Sequence, residues 1–173
     1  MRIVTFLLSM FVIQQTLFAA DPVKKVYPAV GDPVPAFTFE PEKGKTVSIG
    51  DYNNQTMLLV FFATWCPPCR AELPHIQKEI WEKYGSNSRF KLLAFGREHT
   101  RREIDKFVAE THFTFPIVSD PKREVFSLFA PQEIPRSYLI VNGKIVKMTV
   151  GFTEEEFNEM VKLIDSSLNT DQK

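Results

Sequence analysis

The sequence predicts an α/β fold in which a central mixed β-sheet is flanked by helices. Between residues 57 and 129, apolar runs of strand length alternate with helical patterns, which is typical of β–α–β units with parallel strands. Asn142-Gly143 then lies between two further strand-like runs, and this dipeptide is the strongest short signal of an antiparallel hairpin. One last helical pattern follows. The 173 residues suffice for one well-buried domain.

Residues 37–84 predict a β-hairpin, a buried strand and a long helix. The segments Phe37–Phe39 and Thr46–Ser48 are separated by the turn-prone Pro41–Gly44, which predicts a hairpin at the edge of the fold. The unbroken apolar run Met57–Ala63 predicts a strand covered on both faces. The following helix contains Pro74, which predicts a kink, and has an inner face formed by Leu73, Ile76, Ile80, Trp81 and Tyr84.

Residues 91–129 predict two further strands, each followed by a helix. Lys91–Phe95 has the pattern of a buried strand, and Thr100–Glu103 is a capping box that opens a helix. Phe115–Val118 predicts a short strand and Lys122–Phe129 a short helix. With the first strand and helix, these elements form a β–α–β–α–β core.

Residues 138–168 predict an antiparallel pair and a helix. Tyr138–Val141 and Lys144–Val150 flank the hairpin signal. A second capping box, Thr153–Glu156, opens the final helix. Its inward face is formed by Phe157, Met160, Val161, Ile164 and Leu168.

The N-terminus and the composition restrict the class of protein. Met1-Arg2, an apolar stretch to Phe18 and Ala19-Ala20 predict a signal peptide over residues 1–20, with an uncleaved anchor as the alternative. We expect a surface lead-in over residues 21–35, the folded domain over 36–168 and a polar tail over 169–173. The chain is therefore expected in the periplasm or otherwise outside the cytoplasmic membrane. Equal numbers of basic and acidic residues, 21 each, provide no basic surface for nucleic acid.

The only two cysteines, Cys66 and Cys69, lie in Trp65-Cys66-Pro67-Pro68-Cys69 between the first buried strand and its helix. A disulfide across so short a loop would stabilise the fold by only about 2 kcal/mol, so a reactive dithiol is favoured over a structural disulfide. A metal clip is the other alternative. Tetrahedral zinc needs four ligands, and the chain has no second cysteine pair and only three scattered histidines, His75, His99 and His112.

The position of the pair predicts a role for each cysteine. Cys66, at the start of the helix, is expected to be an exposed nucleophile, since the partial positive charge of a helix N-terminus stabilises a thiolate. Cys69, one turn deeper, would be the resolving thiol. Pro67 and Pro68 suit the first helical turn, but Pro68 has no N–H for the Cys66 sulfur. The Cys69 amide is then a main donor, and such moderate stabilisation favours a reductant.

The sequence resembles the thioredoxin-like proteins of the exported TlpA/ResA type over roughly residues 30–168. Four segments carry the resemblance: residues 30–37, residues 61–70 around the cysteines, Ile134-Pro135, and residues 142–145. The resemblance implies a thioredoxin-like three-layer fold with an N-terminal β-hairpin extension and a βα insertion. It also implies a thiol–disulfide oxidoreductase that needs no bound cofactor and no metal.

The resemblance further implies a substrate-binding surface around the cysteines. Pro135 is similar to the cis-proline that faces the cysteine pair, where the backbone of Ile134 would hold a substrate chain as an added strand. Trp65, together with Pro67 and Pro68, would contact the substrate or shield the sulfur. A half-buried packing role for the Trp65 indole is equally compatible with the sequence. Arg136 stands where relatives carry a small hydroxyl residue. Its cation would stabilise the Cys66 thiolate, select acidic partners or point to solvent.

Acid–base assistance is assigned by the same resemblance. Val60 occupies the place of the buried aspartate that thioredoxins carry in the strand before the motif. Glu72 resembles the acidic residue that TlpA/ResA-type proteins carry just after the second cysteine. If buried, it would accept the proton of Cys69 as the mixed disulfide resolves. The alternative is a solvated glutamate on the helix surface.

These features predict an exported enzyme that reduces disulfides of envelope proteins, apocytochromes among them, and is itself reduced by a membrane electron donor. We expect a monomer that contacts membrane only through an uncleaved N-terminal segment. One alternative is a peroxiredoxin-like peroxidase, although Thr64 lies two residues before Cys66 rather than three. Others are a non-catalytic copper carrier that uses the thiolates, and a strong oxidant.

Overall fold

A computed structural model describes residues 26–170, so the predicted signal peptide lies outside the described residues. The central sheet has five strands in the order β5-β4-β3-β6-β7. Strands β3, β4 and β5 are parallel, and β6 and β7 are antiparallel to their neighbours. The strands are β1 (Thr38–Glu42), β2 (Lys45–Ser48), β3 (Thr56–Phe62), β4 (Phe90–Arg97), β5 (Ile117–Asp120), β6 (Arg136–Val141) and β7 (Lys144–Val150). The predicted mixed sheet is confirmed.

Helices cover both faces of this sheet. They are α1 (Pro67–His75), α2 (Glu82–Tyr84), α3 (Arg101–Thr111), α4 (Phe126–Phe129) and α5 (Glu154–Thr170), with a 3₁₀ turn at Ile49–Tyr52. Because successive strand residues point to opposite faces, alternate residues of β3 enter two separate cores. Leu58, Val60 and Phe62 pack with α1, α3 and α5. Met57, Leu59 and Phe61 pack with α4 and the N-terminal hairpin. The result is the three-layer arrangement with its N-terminal hairpin extension.

The long helix changes its hydrogen-bond pattern near Pro74. α1 continues into a π-helical segment, Ile76–Trp81, and then into α2. Proline has no N–H to donate one turn back, so a departure from regular α-helix beside it is expected. The inner face is as predicted, with the half-buried Trp81 at its margin and Leu73, Ile76, Ile80 and Tyr84 buried.

Two local signals in the sequence are confirmed in detail. Asn142 and Gly143 adopt φ values of 50° and 75°, the left-handed pair that a two-residue hairpin turn requires. At the start of α3, the Thr100 hydroxyl accepts the Glu103 N–H and the Glu103 carboxylate accepts the Thr100 N–H. Both signals depend on neighbours in the chain, so they do not need the tertiary fold to be recognised.

The predicted hairpin forms, as a two-stranded sheet of its own, β1–β2. Two boundaries differ from the expectation. Strand β5 begins at Ile117, and the buried Phe115 ring before it stacks on Phe113 with centroids 5.1 Å apart. Helix α4 begins only at Phe126, because Arg123 has a φ of 59° that no right-handed helix accommodates.

The described part of the lead-in is hydrogen-bonded to β7 of the central sheet. The Gly31 N–H donates to the Ile145 carbonyl at 2.8 Å, and the Ile145 N–H donates to the Asp32 carbonyl at 2.9 Å. Residues 26–170 contain no helix with the length and apolar character that crossing a bilayer would require.

Candidate active site

The cysteine pair lies where the first parallel strand meets its helix. Strand β3 ends at Phe62, and Cys66 is the N-cap of α1, with its N–H donating to the Ala63 carbonyl at 3.2 Å. Cys66 and Cys69 form a disulfide with their Cα atoms 5.3 Å apart, within the usual range for disulfides. The helix start therefore brings the two sulfurs together, as the spacing predicted.

The main-chain donors around Cys66 follow from the two prolines. Pro67 and Pro68 occupy the first two helical positions and have no N–H. The Cys69 N–H is therefore the first donor of the helix, and it lies 3.3 Å from the Cys66 sulfur. In the reduced protein, this N–H and the helix N-terminus would both stabilise a thiolate at Cys66.

The expectation that Cys66 is exposed is wrong. Cys66 is only 3% exposed and Cys69 is fully buried. Cys66 packs into the core on the α1 side of the sheet, with Ile134 against that core. Trp65 does not provide the cover, since its own side chain is 61% exposed.

The Ile134–Pro135 peptide bond is cis, as the resemblance implied. The Ile134 carbonyl oxygen lies 3.7 Å from the Cys66 sulfur, so this segment faces the pair directly. The Pro135 carbonyl accepts the Gly151 N–H at 2.8 Å, which ties the segment to the end of β7. The backbone beside the sulfur is thus held in place from the far edge of the sheet.

Glu72 is buried, which excludes the solvated alternative. It lies on α1 three residues after Cys69, so the two side chains share one helix face, and it is 4% exposed. One carboxylate oxygen accepts the Ser137 hydroxyl at 3.1 Å, and the other has no partner among the described residues. Burial raises the pKa of Glu72 to about 7, against a smaller lowering by Ser137.

The sheet register places Glu72 over Val60, the strand position that lacks an acid. Ser137 on β6 pairs with Val60 on β3 in the sheet register, so Glu72 lies above the Val60 side of the sheet. A cavity of about 10 Å³, lined in part by Glu72, Ser137 and Thr149, lies beside it. That volume corresponds to about one water-sized probe. The carboxyl group thus has room for one small polar partner.

Arg136 lies on the other face of the sheet from the cysteines. In β6 it shares a face with Tyr138, which packs with the α4 side of the core. Its guanidinium lies 3.2 Å from a Glu133 carboxylate oxygen and 3.7 Å from the Met148 sulfur. At 8% exposure, Arg136 does not point to solvent. Next to Pro135, it contacts the preceding loop through Glu133.

His99 was missed as a site residue. Its Nε2 accepts the Thr64 N–H at 2.9 Å, directly before Trp65-Cys66. In the sequence, His99 is only one of three scattered histidines. The signal that would have found it is topological: β3 and β4 are adjacent and parallel, so the segments after their carboxyl ends meet at one edge. Ser137, the partner of Glu72, was missed as well.

The comparisons with known proteins agree with this site. Residues 30–148 match the AhpC/TSA family. The chain belongs to the AhpC/TSA family. Within this family of thioredoxin-like proteins, the chain is 30% identical to the thiol-disulfide oxidoreductase ResA of Geobacillus thermodenitrificans over 168 residues, which cover 95% of this chain and 94% of the relative. ResA of Oceanobacillus iheyensis is 33% identical over 132 residues, 73% of this chain and 67% of the relative.

Solved structures give the same assignment. A Bacteroides thetaiotaomicron protein assigned as a protein disulfide isomerase superposes with a TM-score of 0.76 at 35% identity, over 81% of this chain and 90% of that one. StoA of Bacillus subtilis superposes with a TM-score of 0.62 at 29% identity, over 78% and 99%. This AhpC/TSA family member is a thiol–disulfide oxidoreductase of thioredoxin-like fold.

Proposed function

We propose that this oxidoreductase works as a reductant of disulfides in exported envelope proteins, apocytochromes c among them. The observation that carries the proposal is the arrangement of the Cys66–Cys69 pair: one main-chain N–H at the outer sulfur, and a buried carboxyl one turn beyond the inner one. The signal-peptide pattern of residues 1–20 and the likeness to ResA proteins support an exported location. The protein would act as a monomer.

The proposed cycle begins with the reduced pair. The Cys66 thiolate attacks one sulfur of the substrate disulfide, so that a Cys66–substrate bond forms, the substrate S–S bond breaks and the leaving thiolate takes up a proton. Cys69 then gives its proton to Glu72 and attacks the Cys66 sulfur. The Cys66–Cys69 bond forms, the bond between Cys66 and the substrate sulfur breaks, and that sulfur leaves as the second substrate thiolate. Two electrons pass from the dithiol to the substrate.

Glu72 suits the second step because its pKa of about 7 allows it to accept and return a proton near neutrality. The oxidised pair must afterwards be reduced by a membrane dithiol donor. The two prolines support the proposed direction of electron flow. With a single N–H at the Cys66 sulfur, the reduced form would be only moderately stabilised, whereas strong oxidants need a strongly stabilised reduced form.

The first test is the reduction potential. Equilibration of the pair against thiol–disulfide buffers should give a value well below the roughly −120 mV of a strong oxidant. A value near that of the strong oxidant would reverse the proposed direction. Peroxide consumption as fast as disulfide reduction would favour a peroxidase. Stoichiometric Cu(I) binding without reductase activity would favour a copper carrier.

The second test identifies substrates. The Cys69→Ala variant cannot resolve a mixed disulfide on Cys66, so proteins trapped by it in the envelope should carry disulfides that the unmodified protein reduces. Cys66→Ala is the matched control, because it keeps one cysteine of the pair and removes the attacking one. Equal trapping by both variants would contradict the assignment of Cys66 as the nucleophile.

A further inference from the structure

Three hydrogen bonds hold the Thr64 main chain and the Cys66 N–H, in the segment that leads into the cysteine pair. The Cys66 N–H donates to the Ala63 carbonyl, and the Thr64 carbonyl accepts from the Arg70 guanidinium at 3.3 Å. Both partners belong to the segment itself or to the helix it opens. The third bond, from the Thr64 N–H to His99 Nε2 at 2.9 Å, comes from the loop after β4. It ties the segment to the rest of the sheet.

His99 is built into this place. It is 5% exposed, and its main-chain N–H donates to the Gly96 carbonyl at 3.2 Å. A side chain at Gly96 would collide with Ile104 of α3 and would come within 3.4 Å of His99 itself. The preceding residue, Glu98, adopts a left-handed φ of 64°, which turns the chain so that His99 faces inward. The imidazole thus lies against the Thr64 peptide through Nε2, and its buried Nδ1 has no hydrogen-bond partner among the described residues.

We propose that His99 is a positioning residue for the reactive cysteine: as a hydrogen-bond acceptor, its Nε2 fixes the Thr64 peptide and so sets where the Cys66 sulfur lies relative to the Cys69 N–H. The role of this bond in turnover rests on the proposed function, but its effect on Cys66 does not. Only a neutral ring with its proton on Nδ1 can accept at Nε2. Protonation would place two N–H donors opposite each other and break the bond.

The charges around the ring define the pH range in which the bond exists. Burial lowers the pKa of His99 below its ordinary value of 6.5, while Glu103 on α3 and Glu98 in the same loop act in the opposite direction. Arg70 faces the same peptide from α1, at the Thr64 carbonyl. The neutral, accepting ring is thus the form present at neutral pH, and the bond should fail only as the pH falls below 6.5.

The test measures the reactivity of Cys66 alone. In the reduced Cys69→Ala full-length protein, the rate of alkylation by iodoacetamide reports the thiolate at Cys66 and needs no protein substrate. His99→Leu removes the acceptor, whereas His99→Gln keeps an accepting oxygen that does not titrate. His112→Asn is the control, since His112 is exposed and asparagine tolerates its left-handed φ of 59°.

At pH 8 we expect His99→Leu to react about fivefold more slowly, the factor that corresponds to one ordinary hydrogen bond, and His99→Gln and His112→Asn to stay within about twofold of the parent. As the pH is lowered from 7 to 5, protonation of His99 should lower the parent rate relative to the His99→Gln rate. The ratio of the two rates isolates this effect, because ionisation of the Cys66 thiol itself cancels in it. Unchanged reactivity in a folded His99→Leu protein, a Gln variant as slow as the Leu variant, or a ratio independent of pH would each overturn the proposal.

The pH ratio of the Gln variant decides the matter even if the Leu variant does not fold. Failure of the proposed function is a separate result. If the unmodified protein does not reduce protein disulfides, the reductant assignment falls, while the alkylation rates still report whether His99 positions Cys66.

Discussion

Replacing Glu72 by Gln should change how stability depends on pH. The pKa of Glu72 is raised from 4.5 to about 7 by burial. Below pH 4.5 both the folded and the unfolded chain hold the proton, so the carboxyl has no effect. Between 4.5 and 7 only the unfolded chain ionises, and stability falls as the pH rises. Above 7 the loss is complete and amounts to about 3 kcal/mol, since each pKa unit corresponds to 1.36 kcal/mol.

Glutamine has nearly the same shape and cannot ionise, so Glu72→Gln should remove this loss. The measurement is the free energy of unfolding by urea between pH 4.5 and 8.5, with the disulfide intact. Relative to the unmodified protein, the variant should gain about 3 kcal/mol across this range. Glu42→Gln is the control, because this exposed side chain should leave the pH dependence as it is. A Glu72→Gln protein with the parental slope would refute a buried, protonated carboxyl.

Three further outcomes follow from the described contacts. Ser137→Ala removes the hydroxyl that lowers the Glu72 pKa, so the pH-dependent loss of stability should move to higher pH in the same unfolding series; a shift to lower pH would contradict this. Gly96→Ala should destabilise the fold by about 1–3 kcal/mol, because the added methyl group would collide with Ile104 of α3. Gly50→Ala is the control and should not destabilise the fold, since the nearest atom to its added methyl group is 3.4 Å away. Thermal unfolding of the two variants measures the difference. Asp120→Ala removes the carboxylate that accepts two N–H groups at the start of α4. The free energy of unfolding by urea should fall by about 2–3 kcal/mol. An unchanged unfolding midpoint would argue against a stabilising role for these two hydrogen bonds.

The sequence predicted those parts of the fold whose signals are local. The turn at Asn142-Gly143 and the capping box at Thr100 depend on a few adjacent residues, and both form as expected. Strand β3 was recognised because every one of its residues is apolar except Thr56. Helix α4 was overextended, since nothing in the composition of 122–129 indicates that Arg123 turns left-handed.

The site was predictable where it depends on the motif and unpredictable where distant segments meet. The N-cap position of Cys66 follows from its place after a strand and before two prolines. The burial of Glu72 does not, because Ser137, which contacts it, lies 65 residues away in the chain. The inward position of Cys66 likewise depends on the Ile134 segment, and the orientation of Arg136 depends on the register of β6.

The exposed rim of the site has a thermodynamic consequence for docking. Trp65, Pro67 and Pro68 are exposed beside the buried sulfurs. Proline loses no side-chain rotamer freedom on burial and indole has only two rotatable bonds, so a partner that covers this rim immobilises very little. Association would then depend on the apolar area covered and on the backbone of Ile134. A partner that docks there would bind without the protein first ordering its own surface.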